Sequence, residues 1–244
     1  MSSPVSPKEH YANHLAGFYS WMTGDFQESA RRFKAFLVEH SLKPGSNKIA
    51  IDLGAGHGIQ SIPLAETGFD VFAVDFNQHL LDELRFNAGD LPITIRNADI
   101  RAIEDVGVSP ELIVCCGDTL AHLESKNDLG KFIADVSRTL VNGGKVIFSF
   151  RDYSAPAAGS TRIIPVKSGD DRILTCILIY DADFVNVTDL LYERKNDQWQ
   201  MRASTYRKIR LDTNEVLGLL TLNRFSITYS ADVNGLTTII AIKP

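Results

Sequence analysis

Short apolar runs alternate with amphipathic stretches along most of this chain. Several runs, such as Leu112-Ile113-Val114, are continuous, which is typical of strands that are covered on both faces. The sequence predicts strands at 48–53, 70–74, 92–96, 111–115 and 144–150. Helices are predicted between them at 58–67, 77–86 and 126–140. This order predicts an α/β fold with a Rossmann-like, doubly wound, mostly parallel sheet and right-handed crossovers.

The pattern changes after Tyr153 and returns near the C-terminus. Three β-rich segments separated by polar turns predict an antiparallel β insertion, and they lie at 172–181, 183–194 and 198–210. Asp212 can then cap a helix that ends at Leu222. A C-terminal antiparallel hairpin is predicted around Asn234-Gly235, and its strands at 225–230 and 236–242 bring the main sheet to seven strands.

The N-terminal part of the chain has a different character. Residues 1–8 are Ser- and Pro-rich and are predicted to form a disordered arm. From His10 to His40 the pattern is helical, with a break near Thr23-Gly24-Asp25. Asp25 is expected to cap the second of these helices.

Composition narrows the class of protein. The chain has 244 residues, of which 44% are hydrophobic and 23% charged, as expected for one large domain with an insertion. A net charge of -5 argues against a general nucleic-acid or anionic-membrane surface. No signal peptide or run of about 20 apolar residues is visible. The three cysteines match neither a disulfide framework nor a metal site, so a reducing cytoplasm is expected.

The segment from Ile49 to Ile59, with the sequence IAIDLGAGHGI, carries the clearest chemical signal. Gly54, Gly56 and Gly58 allow a tight turn in which the backbone approaches a ligand closely, and the amides that follow attract an anionic or polar group. A dinucleotide fingerprint would need a third glycine where Ile59 stands. Asp52 would repel a pyrophosphate but suits a ligand with an amino group and a sulfonium. We therefore expect Asp52, Gly54, Ala55 and Gly56 to bind S-adenosylmethionine rather than NAD.

The next two predicted strands also end in polar residues. Asp75 can accept hydrogen bonds from both ribose hydroxyls, although this does not separate S-adenosylmethionine from NAD, and a helix cap is the alternative. Phe76 and Asn77 follow it, and Phe76 can lie against adenine or pack in the core. Asp99 can accept from the adenine amino group while the backbone at Ile100 reads a ring nitrogen, or Asp99 is simply a turn residue.

These motifs, in this order, resemble those of the class I SAM-dependent methyltransferase superfamily. The similarity extends to the strand segment 111–123 and to the Leu140-Val141-Asn142-Gly143-Gly144-Lys145 turn, and it covers residues 45–152 well. The resemblance implies a SAM-binding methyltransferase domain over 45–244, preceded by an arm and cap helices over 1–44. It also implies that the backbone at Cys116 meets the methionine amino group, and that Asp118 and His122 face the mouth of the active site.

Two further segments are similar to glycine/sarcosine-type small-molecule N-methyltransferases, namely 117–123 and 150–153. In that family an Arg at the position of Arg151 holds the substrate carboxylate. In the same family an Asn stands at the position of Asp118. An Asp at that position would attract an amine and repel a carboxylate. The resemblance also implies that 155–210 is an inserted substrate lid, while this β-rich insert is equally a candidate dimer surface.

The candidate catalytic residues are therefore His122, Asp118 and Arg151, each with a structural alternative. His122 can accept a proton from the nucleophile or hold a helix start. Arg151 can bind substrate or form an ion pair with Asp118 or Asp152. Tyr19, on the N-terminal helices, is expected to contact the cofactor. No motif calls for a metal, because the sulfonium already activates the methyl group.

The sequence predicts methyl transfer to nitrogen or oxygen of a small-molecule acceptor by in-line displacement, with S-adenosyl-L-homocysteine as product. No nucleic acid or membrane partner is expected, and a homodimer stays open. A protein or RNA methyltransferase is the first alternative, disfavoured by the acidic balance. A non-catalytic SAM-binding protein is the second, and an NAD-dependent oxidoreductase is disfavoured by Ile59 and Asp52.

Overall fold

The computed structural model describes residues 4–244, which form two compact units. The smaller unit combines the N-terminal residues up to Gly24 with Tyr153–Arg210. The larger unit combines Asp25–Asp152 with Leu211–Pro244. No helix in the described part of the chain is both long and apolar enough to span a bilayer.

The larger unit is built on a seven-stranded sheet. Its strands are β1 (Ile49–Leu53), β2 (Asp70–Asp75), β3 (Ile93–Asn97), β4 (Leu112–Cys115), β5 (Lys145–Phe150), β10 (Ser226–Val233) and β11 (Leu236–Ile242). Their spatial order is β10-β11-β5-β4-β1-β2-β3. The first five are parallel, and β10 and β11 form an antiparallel hairpin that pairs with β5. The predicted fold class is thereby confirmed.

Five α-helices accompany this sheet, namely α3 (Phe26–Glu39), α4 (Ser61–Glu66), α5 (Gln78–Ala88), α6 (Lys126–Thr139) and α7 (Thr213–Leu222). The Asp25 side chain accepts a hydrogen bond from the Glu28 amide and caps α3 as predicted. The prediction that a helix begins at residue 58 is wrong. Gly58 has φ +103°, so the turn continues beyond it and α4 starts only at Ser61.

Burial explains why the central strands consist of continuous apolar runs. All four residues of β4 are buried, as are five of the six in β5, because helices cover the sheet. β1 lies between β2 and β4, so the strand order reverses at β1. In sheets of this type, ligands bind outside the carboxyl ends of the strands at such a reversal.

The smaller unit contains an antiparallel four-stranded sheet in the order β6-β7-β8-β9. Its strands are β6 (Thr161–Ser168), β7 (Arg172–Tyr180), β8 (Phe184–Lys195) and β9 (Gln198–Ile209). The sequence pattern predicted the last three of these and missed β6. Pro165 interrupts the apolar run of β6, and Pro within a run normally argues against a strand, but β6 is an edge strand, where Pro is tolerated.

The N-terminal residues of the smaller unit are ordered from Val5 onward, so the predicted disorder of 1–8 is wrong for 5–8, while 1–3 lie outside the described residues. Ser6 and Glu9 form a capping box at α1 (Pro7–His10). The Val5 amide donates to the Thr205 carbonyl at 2.9 Å. A π-helical turn (11–15), a 3-10 turn (16–18) and α2 (Tyr19–Thr23) follow.

A row of polar side chains crosses the buried face of this smaller sheet. The His10 ring joins Asp189 through Nε2 at 3.0 Å and Ser204 through Nδ1 at 2.9 Å. The Cys176 thiol donates to the other Asp189 oxygen at 2.7 Å. His14 is buried one turn after His10, and burial lowers its pKa to about 4. The polar row anchors the N-terminal helices on the sheet.

Candidate functional site

The predicted site residues of the larger unit all lie in or just after parallel strands. Register pairs such as Leu53 with Val74 and Asp75 with Asn97 show that the strand ends share one edge of the sheet. This carboxyl edge therefore brings together segments that are up to about a hundred residues apart in sequence. Its candidate residues are Asp52, Gly54, Ala55, Gly56, Asp75, Phe76, Asn77, Asp99, Ile100, Cys116, Asp118, His122 and Arg151.

The glycine loop needs its glycines for two reasons. Gly54, Gly56 and Gly58 all have positive φ, at +77°, +52° and +103°. A Cβ at Gly54 would also lie 2.5 Å from both the Oγ1 and Cγ2 atoms of Thr119. The Gly54 amide donates to the Val74 carbonyl at 2.8 Å, which fixes the loop to the end of β2. The loop is therefore held in a single, closely packed conformation.

Asp52 is a buried acid in β1, with only 1% of its surface exposed. Its Oδ2 atom accepts a hydrogen bond from the Ser61 hydroxyl at 2.5 Å. Burial raises the Asp52 pKa to about 7; the Ser61 bond opposes the shift and the Asp75 charge adds to it. An acid with this pKa is partly protonated at neutral pH, and a cation close to it would favour its ionised form.

Asp75 lies at the end of β2, and both of its carboxylate oxygens accept hydrogen bonds. Its Oδ2 accepts from the Gly56 amide at 2.9 Å, and its Oδ1 accepts from the Asn77 amide at 2.8 Å. Burial raises the Asp75 pKa, and these backbone hydrogen bonds oppose the rise. Each carboxylate oxygen can accept a further hydrogen bond, so the pair matches a vicinal diol. Asn77 caps α5 by accepting from the Leu80 amide at 3.1 Å.

Asp99 follows β3 and begins a 3-10 helix over Ile100–Val106. Its carboxylate accepts from the Arg101 amide at 2.9 Å and from the Arg101 guanidinium at 2.8 Å. Arg101 also reaches Glu124 at 2.8 Å, and these acidic partners raise the Arg101 pKa. Ile100 is buried beside it. The roles expected for Asp99 and Ile100 at adenine stay predictions.

The residues after β4 form a second tight turn. Cys116 is buried, and burial raises the pKa of its thiol to about 12, so the thiol stays protonated. The Cys116 carbonyl accepts from the Thr119 hydroxyl at 2.8 Å, and the Gly117 amide donates to the Ser149 hydroxyl at 3.0 Å. Asp118 adopts a left-handed conformation with φ +73°, which few residues other than Gly, Asn and Asp accept readily.

Asp118 and Arg151 are in contact, but not as the ion pair that was the alternative reading of Arg151. The Asp118 Oδ1 atom accepts from the backbone amide of Arg151 at 2.9 Å, and Asp118 is buried. Asp152 accepts from the amide of Thr213 at 3.0 Å and thereby holds the start of α7. The Arg151 side chain is exposed at the end of β5.

His122 and Tyr19 stay predictions as functional residues. His122 ends a 3-10 turn over Thr119–His122 and is half-buried. Tyr19 belongs to the smaller unit, where it begins α2. Its ring centroid lies 6.0 Å from that of Tyr11, and its carbonyl accepts from the Thr23 hydroxyl at 3.1 Å.

Sequence reasoning missed three hydroxyl side chains that shape this edge. Ser61 donates to Asp52, Thr119 packs against Gly54, and Ser149 accepts from Gly117. Ser61 lies just after the glycine loop, and Thr119 lies inside the segment 117–123 that the sequence had already indicated. Ser149 lies in the otherwise apolar strand β5, and a single serine in such a strand was the one sequence feature that could have indicated its role.

Comparison with known proteins agrees with this arrangement. Residues 50–144 match the family model described as a methyltransferase domain. A glycine/sarcosine N-methyltransferase from Parasynechococcus marenigrum (strain WH8102) is 28% identical over 143 residues, which cover 57% of this chain and 47% of that protein. The chain thus spans about half the length of this curated relative.

Solved structures share the fold over nearly the whole chain. A S-adenosylmethionine-dependent methyltransferase from Clostridium acetobutylicum ATCC 824 superposes with a TM-score of 0.75 and 19% identity, covering 95% of this chain and 98% of that one. The sugar N-methyltransferase KedS8 from Streptoalloteichus sp ATCC 53650 gives a TM-score of 0.73 and 14% identity, covering 100% and 98%.

The strand order, with the glycine loop at its reversal, is that of a Rossmann-like α/β fold. Within this fold, residues 50–144 are similar to methyltransferase domains.

Proposed function

We propose that this protein transfers a methyl group from S-adenosylmethionine to an amine nitrogen of a small-molecule acceptor. The observation that carries the proposal is the glycine loop flanked by two buried carboxylates, Asp52 and Asp75, at the point where the strand order reverses. The names of similar proteins support it, since they include a glycine/sarcosine N-methyltransferase and a sugar N-methyltransferase.

The residues of the larger unit fit the parts of such a cofactor. Asp75 would accept the two ribose hydroxyls, because its two carboxylate oxygens are hydrogen-bond acceptors held in place by the backbone amides of Gly56 and Asn77. Asp52 and the amides of the glycine loop would face the charged methionine portion. The backbone at Cys116 would meet the amino group. Asp99 and Ile100 would bind the adenine, with Phe76 against its face.

S-adenosylmethionine, when bound, supplies a methyl group already activated by its positive sulfur. The protein then has to align the acceptor, exclude water and manage one proton. Asp118 is buried and oriented by the Arg151 amide, so it would attract an ammonium acceptor and fix its position. His122 would remove the proton from that nitrogen. Arg151 would hold a carboxylate on acceptors that carry one.

The smaller unit is the proposed lid. Its residues 155–210 would close over the acceptor, and Tyr19 would contact the cofactor from the N-terminal helices. The proposed compartment is the cytoplasm. A protein that binds the cofactor without turnover is the competing function, because the glycine loop and Asp75 explain binding alone.

A screen for release of S-adenosylhomocysteine tests the proposal. The protein would be incubated with S-adenosylmethionine and panels of amino sugars, amino acids, phenols, peptides and RNA. We expect turnover with at least one small primary or secondary amine, and a loss of more than tenfold in kcat/KM for Asp118→Asn on that amine. Asn tolerates the left-handed conformation at 118, so the variant keeps the backbone and the size of the side chain while it removes the charge and turns one acceptor oxygen into a donor. Turnover confined to phenols, peptides or RNA would contradict the proposal, and so would tight cofactor binding without turnover of any amine.

A further inference from the structure

A small cleft lies at the amino edge of the seven-stranded sheet, and we propose that it binds a small monocarboxylate with an apolar body. At this edge the parallel strands begin, so it is the edge opposite to the glycine loop. The proposal does not depend on the methyl-transfer function. Its support comes from the position and volume of the cleft, its apolar floor, its charges and its occupied backbone amides.

The cleft is formed where strands of the larger unit begin. Phe69 precedes β2, Leu112 is the first residue of β4, and Lys145 is the first residue of β5. Leu42, beyond the end of α3, lies beside them. The volume of the cleft is about 210 Å³, roughly that of seven water molecules in the liquid. Pockets for drug-sized ligands have roughly 300–1,000 Å³, so a smaller molecule is expected here.

The floor of the cleft is apolar. Leu42, Phe69 and Leu112 are 4%, 1% and 2% exposed and belong to one hydrophobic cluster of the core. Because core packing fixes their side chains, the floor keeps its shape whether or not a ligand is bound. Carbon atoms of a ligand that contact this floor leave water, which favours binding. A ligand with an apolar body therefore fits the cleft better than a purely ionic one.

Two lysines and one glutamate carry the charge of the cleft. Lys43 and Lys145 line it together with Glu111, so two positive charges and one negative charge leave a net charge of +1. Neither lysine forms an ion pair within the described part of the chain, where the lysines that do are Lys34, Lys126 and Lys195. One carboxylate would neutralise the cleft. Lys145 is half-buried, and its attraction for an anion is less screened than at the surface.

Glu111 is directed at a neighbouring turn and not at the lysines. Its Oε1 atom accepts a hydrogen bond from the Gly45 amide. A Cβ at position 45 would lie 2.8 Å from Oε2, so the lack of a side chain at Gly45 lets the carboxylate approach this turn. The Glu111 backbone is also fixed, because its amide donates to the Ile49 carbonyl at 3.0 Å and its carbonyl accepts from the Lys145 amide at 2.9 Å. The two ammonium groups are therefore left for a ligand.

The backbone amides that line the cleft favour a carboxylate over a phosphate. Phosphate sites commonly present free amides, as at a glycine-rich turn or a helix start. Here the Gly45 amide donates to Glu111, and the Gly143 amide donates to the Lys243 carbonyl at 2.9 Å. The negative charge of Glu111 also disfavours a dianion. A single carboxylate needs only the charge-assisted hydrogen bonds that the two lysines can supply.

The length of the strands separates this site from the expected cofactor site. Lys145 begins β5, and Arg151 follows its other end. The six residues from Lys145 to Arg151 span about 20 Å of extended strand. A carboxylate bound at Lys145 would contact neither the glycine loop nor Arg151, which is itself a candidate for binding carboxylates. Binding at the two edges can therefore be distinguished residue by residue.

Nuclear magnetic resonance of the full chain tests the site with benzoate as the probe. Millimolar benzoate should shift the amide signals of Gly45, Leu112 and Gly143, and saturating S-adenosylhomocysteine should not displace it. Benzamide has the same ring without the charge and should bind at least tenfold more weakly. Inorganic phosphate has the charge without the ring, and it should also bind at least tenfold more weakly.

The double substitution Lys43→Gln with Lys145→Gln should weaken benzoate binding at least tenfold. As a matched control, Lys131→Gln changes an exposed lysine of α6 outside the cleft and should leave binding unchanged. Circular dichroism checks folding, and Lys43→Gln alone, at an exposed position, should weaken binding at least threefold if the double variant is perturbed.

Four results would overturn the proposal. The first is no binding of benzoate in the millimolar range, and the second is a set of shifts around Gly54 and Arg151 that S-adenosylhomocysteine abolishes. The third is binding of benzamide or phosphate as tight as that of benzoate. The fourth is unchanged binding in the folded lysine variants, or an equal loss in Lys131→Gln.

Discussion

The Ser61 hydroxyl donates to the carboxylate of Asp52 across 2.5 Å, and both residues are buried. Ser61 lies at the start of α4, and Asp52 lies in β1 before the glycine loop, so this bond joins the two ends of the loop. It also opposes the effect of burial on the Asp52 pKa. This hydrogen bond therefore links the conformation of the glycine loop to the ionisation of Asp52.

We predict that Asp52 makes the protein less stable as pH rises. Its pKa is about 7 in the folded protein, above its ordinary value of 3.8. Between these values the unfolded chain releases a proton that the folded chain keeps, so the free energy of unfolding falls as pH increases. Asp52→Asn should remove this fall, stabilising the protein by up to about 4 kcal/mol at pH 8 and by little at pH 4. Urea unfolding at both pH values measures the difference. Equal effects at pH 4 and 8 would contradict the raised pKa.

Replacing Gly54 by Ala should disrupt the glycine loop. The added Cβ meets Thr119 at 2.5 Å in addition to the strain of φ +77°. Gly143→Ala is a matched control, because Gly143 has φ +76° with nothing within 4 Å of its Cβ position. Positive φ costs about 1–2 kcal/mol in either variant. Thermal unfolding should show a clearly larger loss for Gly54→Ala, and similar losses would mean that Thr119 moves away without cost.

His14 should make the smaller unit sensitive to acid. Burial and the neighbouring His10 lower its pKa to about 4, while Asp189 and Glu193 partly oppose the shift and Arg202 adds to it. As pH falls from 6.5 to 4, the unfolded chain takes up a proton that the folded chain does not, so stability decreases. His14→Phe should reduce this loss by up to about 3 kcal/mol. Urea unfolding at pH 7 and pH 4.5 measures it, with His79→Phe, at an exposed histidine, as the control. An unchanged pH dependence in His14→Phe would show that folding does not lower the pKa of His14.

Asp75 should contribute directly to cofactor affinity. Asp75→Asn keeps the shape but replaces one acceptor oxygen by a donor, so S-adenosylhomocysteine should bind about 1–3 kcal/mol more weakly. Asp70→Asn is the control, because Asp70 is exposed at the opposite end of the same strand. Isothermal titration calorimetry compares the two variants. If both bind like the wild type, Asp75 serves only to hold Gly56 and Asn77.

Much of the fold was predictable because its signals are local. The continuous apolar runs mark the parallel strands, and Asp25 marks the start of α3. The elements that sequence analysis missed depend on contacts distant in sequence. β6 is formed because β7 pairs with it despite Pro165, and the N-terminal arm is ordered by Thr205 and Asp189. No periodicity in the first residues encodes those partners.

The candidate site also has features that the sequence indicates and features that only the folded structure shows. Closely spaced glycines, and acidic residues that follow predicted strands, can be recognised in the sequence. Gly54, Asp75 and Asp99 could be selected in this way. Their hydrogen-bond partners could not, since the choice of Ser61 for Asp52, or of the Arg151 amide for Asp118, depends on side-chain directions in the folded sheet. Arg101 illustrates this limit. It stands only two residues after Asp99, but nothing in the sequence indicates that its guanidinium also donates to Glu124.

The most direct test of the central claim is calorimetry of the wild-type protein with S-adenosylhomocysteine and, separately, with NADH. The glycine loop ends in Ile59 rather than glycine and carries a buried acid at Asp52, which favours a sulfur-containing nucleoside over a pyrophosphate. We expect binding of S-adenosylhomocysteine in the micromolar range and no binding of NADH. Binding of NADH alone would contradict the assignment of the cofactor and, with it, the proposed methyl transfer.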